Sequence, residues 1–361
     1  MHIETLLPLG KTDPGLRAAE QPLDIASVAH DAALVETLGY DGLCVEETKD
    51  DPYVVMALAA GATTRIRLTT AVAMAFPRSP TITAMTAWTL AKLSKGRFVL
   101  GLGSQVKGHI RRRYGLAYHP PGPWMREYVQ AVRAVWTCWQ EGRPLDFKGE
   151  RYRLNLMVPL FDPGPMAHPD IPIHLAAVNR YMCQVAGEVA DGMRPHPVCT
   201  PDYIEQVMLP ELAKGAARAG REAASIAICI KPLIATAPDR AALQRKLADV
   251  RARVAFYAST PAYRACFEHH GLGDLADKLQ GLSRAQRWEE MPPHICDEVL
   301  NLYATVGTYE EIGGKLAARY GHLVDAAEFS IPAGSEAERQ RLGAILGELK
   351  ALPPPRRARA A

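Results

Sequence analysis

Three short polar clusters carry the side chains best suited to chemistry. Glu46-Glu47-Thr48 sets two carboxylates beside a hydroxyl, Ser104-Gln105 leads into His109 among Lys107, Arg111, Arg112 and Arg113, and Val178 precedes Asn179-Arg180. If the backbone is extended through Glu46 and Glu47, the two carboxylates project to opposite faces, so at most one looks into a shared site. An inward carboxylate there could exchange a proton with substrate, or pair with a neighbouring arginine. The basic run around His109 reads either as a solvated face or as an anion site. Asn179-Arg180 stands where a helix begins, so backbone N–H groups and a guanidinium could hold a phosphate, or Asn179 could simply cap the helix. Arg194 and His196 form a further polar pair, whereas His174, inside the run Ile173–Ala177, reads as a core histidine.

Other chemistries lack their residues. No H-x-H, H-E-x-x-H or Asp/His set has metal-ligand spacing, so no metal is expected, and no G-x-S-x-G elbow is present. Gly101-Leu102-Gly103 opens like a dinucleotide fingerprint, but Val106 fills the third glycine position. The seven cysteines stand singly with no CxxC, which reads as buried free thiols in a reducing cytoplasm. Forty-two basic against 39 acidic residues leave +3, too little to imply a nucleic-acid partner. No apolar run is long enough to cross a bilayer, and the opening Met1-His2-Ile3-Glu4 does not read as a signal peptide. The partner implied is a small-molecule substrate, with neither nucleic acid nor membrane.

The elements that must position these residues alternate along the chain. Strand candidates are Ile3–Pro8, Gly42–Glu46, Arg67–Ala73, Phe98–Gly103, Ile173–Ala177, Gly192–Pro195, part of Ser225–Thr236, and Glu328–Pro332. Several are nearly continuous apolar runs, as in parallel strands covered on both faces. Helical spacing fills the gaps: Leu23, Val28, Ala32, Val35 and Leu38 before Gly39; Ser79-Pro80 opening a helix closed by Gly96; Trp124 to Gly142; Thr200-Pro201-Asp202 opening another; and Thr308 to Glu311 as a capping box. The stripe Trp124, Tyr128, Trp136 and Trp139 reads as helix core rather than a ligand box. The alternation predicts an α/β fold, a (β/α)8 TIM barrel over residues 1–352. Insertions at about 143–170 and 257–306 are expected to wall the mouth, and 353–361 reads as a disordered basic tail. In such a barrel the polar clusters all fall at strand C-terminal ends, where barrel enzymes carry their sites.

With these residues in place the chain resembles the bacterial-luciferase-like oxidoreductases, in particular the branch using the deazaflavin coenzyme F420. The resemblance runs from about Gly39 to Gly321 and rests on Gly39–Leu43, Glu46–Pro52, Gly96–Ser104, Pro172–Ala177 running on to Val185–Gly192, and Val306–Ile312. It implies a barrel with insertions, a homodimer, a ring bound in the mouth and a phosphate tail beside strands four and five. Carried over position by position, it places the ring-facing polar residues of strand two at Glu47 and Thr48, and ring contacts at Ala71, Val72, Ser104 and Ala177. Gln105, Val178, Asn179 and Arg180 join the cofactor set, and a cofactor-contacting amide falls at His109, the second candidate catalytic residue after Glu47. Val106 stands where deazaflavin enzymes of the family carry a carboxylate, and Val178-Asn179 where many carry glycines. The resemblance further implies a non-proline cis peptide or bulge at Ala71-Val72. The expected function is hydride transfer between F420 and a small organic substrate. One alternative is a monooxygenase using reduced FMN, and another is a member that binds no cofactor and serves as a partner protein.

Overall fold

The computed structural model describes residues 1–10 and 22–355, so most of the basic tail, 356–361, lies outside the described residues. Eight parallel strands close into a barrel: β1 (His2–Leu6), β2 (Gly42–Val45), β3 (Arg67–Thr70), β4 (Phe98–Gly103), β5 (Ile173–Ala177), β6 (Gly192–Pro195), β7 (Ala227–Ile230) and β8 (Ala326–Glu328). Each strand pairs with its successor, and β8 returns to β1 with His2 opposite Ala326. The expected TIM barrel is therefore present. Strands four, five and six have the bounds read from the sequence, because their apolar runs end where the pairing ends. The last strand differs: it stops at Glu328, where the expectation had it begin. Glu328 is thereby moved to the mouth.

Helices α1 (Val28–Thr37), α2 (Pro52–Ala62), α3 (Pro80–Leu93), α4 (Lys107–Arg112), α5 (Pro121–Glu141), α6 (Arg180–Val189) and α7 (Leu209–Arg218) follow in the first six units. Ser79 caps α3 by accepting from the Ile82 N–H, with Pro80 at the first helical position, as its sequence promised. Trp124, Tyr128, Trp136 and Trp139 of α5 are buried core, and Trp124 stacks on Phe76 with ring centroids 3.7 Å apart. Helices α6 and α7 meet backbone to backbone, because a Cβ at Gly215 would lie 1.9 Å from the Gln184 carbonyl oxygen.

The first insertion holds the expected hairpin, Phe147–Lys148 with Arg153–Leu154. The second starts earlier than expected. Leu233–Ala237 leaves the barrel after Pro232 and pairs in parallel with Ala304–Thr308. Between them lie α8 (Arg240–Ala258), α9 (Gly273–Arg284) and α10 (Asp297–Tyr303), and α11 (Ile312–Tyr320) and α12 (Glu336–Lys350) complete the shell. The capping box expected at Thr308 is half formed: Glu311 accepts from the Thr308 N–H, but no side chain caps α11. No described helix is long and apolar enough to cross a membrane. All seven cysteines are free, and all but Cys296 are buried.

Inside the barrel, Glu4 of β1 and Arg194 of β6 form an ion pair at 2.8 Å, with side chains only 7% and 8% exposed. Cys44 donates its S–H to the same carboxylate at 3.1 Å. Burial alone would raise the Glu4 pKa, but Arg194 and the Cys44 hydrogen bond outweigh it and hold the carboxyl below its usual range. Neighbouring His174 is driven down to about 3, first by burial and then by Arg194, so it is neutral at any working pH. Arg194 is thus a core residue rather than the mouth residue its place near a strand end suggested. His174 is the expected core histidine, although its Nδ1 finds no hydrogen-bond partner among the described residues.

One carboxylate ties the outer shell to the barrel. Glu36 on α1 accepts the backbone N–H groups of Thr64, Arg65 and Ile66 at 2.9, 2.7 and 3.2 Å, fixing the turn that feeds β3. Burial pushes its pKa up, yet these donors prevail and lower it from 4.5 to about 2. A depressed folded-state pKa contributes stability above the unfolded value that is lost as pH falls through the folded one. Glu36→Gln should therefore lower stability near neutral pH by about 1 kcal/mol, roughly 1–2 °C in Tm. The gap to the wild type should close as the pH falls from 4.5 toward 2. Calorimetric melts across that range check it.

Candidate active site

The mouth is built from the residues that follow each strand. On one side β3 stops at Thr70, the Ala71-Val72 peptide is cis as expected, and the chain resumes as Ala73–Met74 beside Leu102–Gly103 of β4. The break remains bonded to β2: Ala71 N–H donates to Val45 C=O at 2.7 Å, and Glu47 N–H donates to Val72 C=O. Thr70 Oγ1 bridges Gly101, donating to its carbonyl at 2.8 Å and accepting its N–H at 2.9 Å. A Cβ at Gly101 would lie 1.7 Å from Thr70 O, and one at Gly103 2.5 Å from Val72 Cγ2. Glycine at both positions is what lets β4 approach the break. The resulting rim of Ala71, Val72 and Ser104, backed by buried Ala73, Gly103 and Ala177, carries no long side chain, which suits the face of a flat ring.

Glu47 serves this rim. Its carboxylate, 11% exposed, accepts the Met74 N–H at 2.7 Å and the Arg78 guanidinium at 2.7 Å, while Arg78 also reaches Asp51 at 3.1 Å. Glu46 projects the other way, as alternation along a strand requires. It meets Lys231, just beyond β7, at 2.8 Å, and Lys231 also lies 3.7 Å from Glu328 at the end of β8. The inward carboxylate of the Glu46-Glu47 pair is therefore Glu46.

The other candidates sit on adjacent loops. Thr48 is exposed, and its carbonyl accepts from Arg113 at 3.2 Å. Gln105 takes a left-handed backbone with φ of 56° and folds its side chain back onto the Val106 N–H at 2.8 Å. His109 is exposed on α4, one turn beyond Val106. Beyond β5, the Val178 carbonyl accepts from the Tyr203 hydroxyl at 3.2 Å. Asn179 occupies the N-cap position of α6 without capping it, since its amide donates to Ala262 C=O at 3.1 Å. Arg180 pairs across to Glu211 of α7 at 3.2 Å, with 65% of its side chain exposed. The structure thus gathers Glu47, Ala71, Val72, Ser104, Gln105 and Ala177 on the β2–β5 side, while Arg180, the first residue of α6, is engaged by Glu211 of α7.

The second insertion walls the β5 and β6 loops. His196 stacks on Tyr263 with centroids 4.0 Å apart and meets the edge of Tyr257. His269 Nε2 lies 2.6 Å from Asp202, and His270 Nε2 lies 2.8 Å from Thr200 Oγ1. Asp202, His269 and His270 bring possible ligand atoms within 4.8 Å of one another, but each already has a protein partner. The sequence reading missed Lys231 and Glu328. Lys231-Pro232 directly after an apolar run was the available signal, since proline stops the strand and leaves the lysine at its end.

Residues 6–326 match the family described as luciferase-like monooxygenase. The chain belongs to that family. It is 39% identical over 329 residues to an uncharacterized protein of Mycobacterium tuberculosis, covering 91% of this chain and 96% of that protein. A second protein of that organism, provisionally named a coenzyme F420-dependent oxidoreductase, is 29% identical over 355 residues, with 92% and 97% coverage. Among solved structures, the coenzyme F420-dependent tetrahydromethanopterin reductase of Methanopyrus kandleri superposes with a TM-score of 0.72. It is 20% identical and covers 96% of this chain and 97% of its own, which establishes likeness of fold. The chain is accordingly an oxidoreductase or monooxygenase of the luciferase-like kind.

The clamp on Glu47 leads to a prediction. Glu47→Ala removes acceptors from a buried N–H and a half-buried guanidinium, a loss on the order of 1.5–3 kcal/mol for charge-assisted bonds. Its Tm should fall by several degrees, measured by calorimetry. An unaltered Tm would release Glu47 from this positioning role and return it to the proton-transfer role read from the sequence.

Proposed function

We propose that this chain transfers a hydride between the deazaflavin coenzyme F420 and a small organic substrate. The observation carrying this reading is the bare rim of Ala71, Val72 and Ser104, backed by Ala73, Gly103 and Ala177, with an α6 N-terminus that no described side chain caps. The rim fits one face of a planar ring, and the uncapped N–H groups fit an anionic tail. The F420-dependent name of a relative matched over most of both chains supports the same coenzyme. When bound, the deazaflavin supplies a two-electron hydride carrier.

The chain's own residues would then position and neutralise. Glu47 fixes the rim through Met74 and Arg78. Val106 cannot carry a proton, so acid–base work falls to the opposite side of the mouth. Lys231, 22% exposed between Glu46 and Glu328, is placed to hold a proton or a hydrogen bond at a substrate oxygen. The family's monooxygenase description favours a second reading, with reduced FMN as the ring.

Fluorescence titration with F420 and with FMN separates the two readings. Saturable F420 binding without FMN binding is expected, and FMN binding alone would transfer the assignment to the monooxygenase. With F420 bound, Lys231→Met should cut turnover by about 10²–10⁴ while coenzyme affinity stays near wild type. Unchanged turnover would remove Lys231 from the chemistry.

A further inference from the structure

A cavity of about 120 Å³ opens beside the mouth on the side opposite the rim, at the ends of β1, β7 and β8. Its walls are apolar at Leu6, Pro232, Leu233, Ile234 and Phe329. Its inner end holds Lys231 and Glu328, whose charges offset each other at 3.7 Å. Its outer wall is one face of α8, which presents Lys246, Asp249, Val250 and Arg253 at helical spacing.

Lys246 is the unbalanced group. It lies half-buried in the cavity wall and makes no ion pair with any other described residue. Burial pulls its pKa below the usual lysine range, and Asp249 opposes this without reversing it. Asp249 is exposed, so solvent screens the one carboxylate close enough to help. A half-buried ammonium with no counter-ion is unfavourable until an anion meets it. The cavity has room for several waters, and so for a small organic acid.

We propose that this cavity is the substrate pocket and that it selects a small organic acid, with the carboxylate on Lys246 and the reacting carbon turned toward Lys231. The proposal rests on the coenzyme reading above for the side from which hydride arrives, but the pocket's charge preference is independent of it. Glu46 and Glu328 both meet Lys231, so the charge left to face a ligand is that of Lys246 on α8.

The test is isothermal titration of the coenzyme-free protein with pyruvate, lactate and succinate, and with the uncharged pyruvamide. F420 affinity is followed by fluorescence on the same preparations. At least one acid should bind saturably, pyruvamide should not, and Lys246→Gln should weaken the acid ten- to a hundredfold. Lys246→Arg should restore most of the loss, and both variants should keep wild-type F420 affinity. The proposal is overturned if none of the three acids binds, if pyruvamide binds as well as pyruvate, or if Lys246→Gln binds acid like wild type. Acid binding that needs Lys246 in a protein that does not take F420 would sustain the pocket and sink the coenzyme reading. F420 binding without any acid binding would do the reverse.

Discussion

The Glu4–Arg194 ion pair stands at the centre of the barrel, and the layers above it depend on it. Two charges at 2.8 Å are sealed from water there, so the carboxylate must find donors and the guanidinium a counter-charge, or the barrel would not close around them. Cys44 supplies one more donor, and the interior makes room by omission. A Cβ at Gly42 would come within 3.2 Å of Glu4, and one at Gly192 within 2.4 Å of the His174 ring. Removing either charge would leave the other buried without a partner, a loss of about 3–5 kcal/mol in comparable sites. With polar groups at its centre and apolar strand faces turned to the helices, the barrel keeps a fixed register. Glu46 and Lys231 follow the last residues of β2 and β7, and Glu328 ends β8 opposite Glu4.

That register divides the mouth into two unlike halves. Around β3, β4 and β5 the chain presents backbone and small side chains, with long polar groups such as Glu47 and Arg78 turned to hold the rim from behind. Around β7, β8 and β1 it presents charge and a cavity. Strands three and seven lie across the barrel from each other, so a planar group against one half faces the charged half over the mouth. This is the arrangement that positioning catalysis needs: a carrier fixed on one side, a substrate oriented on the other, and a titratable group between strands at the substrate's edge.

The barrel was legible in the sequence because its strands are short apolar runs with punctuated ends. Phe98–Gly103 stops at glycine and polar residues, and Gly192–Pro195 ends at proline, so periodicity and pairing agree. Glu328 was misplaced because Phe329 and Ile331 continue the apolar run beyond the last paired residue. They are buried against the core although they lie outside the strand. The rim residues were legible only through family resemblance, since nothing in Ala71-Val72-Ala73 marks a ring site by its own chemistry. Glu47 was a candidate for the opposite reason, being a carboxylate at a strand end. Alternation states that Glu46 and Glu47 diverge, but which of them faces inward depends on the register set by Gly42 opposite Glu4. Lys231 could not be paired with Glu46 from sequence because 185 residues separate them and only closure of the barrel brings them together.

The departures from the family's glycine pattern have a structural counterpart. Flexible glycines in a phosphate-binding loop give the backbone freedom to approach an anion. At Val178-Asn179 that freedom is replaced by fixed contacts: the Tyr203 hydroxyl holds the Val178 carbonyl, and Asn179 is anchored to Ala262 in the second insertion. The side chain best able to cap α6 is thereby drawn away from the helix end, which leaves the N-terminal amides clear of a competing intramolecular acceptor. The same insertion stacks Tyr263 on His196 and supplies α8, whose inner face closes the cavity. One inserted segment therefore shapes both the helix end where an anionic tail would dock and the pocket where a substrate would lie. Changes in that segment can alter substrate choice while the barrel beneath, held by Glu4 and Arg194, stays the same.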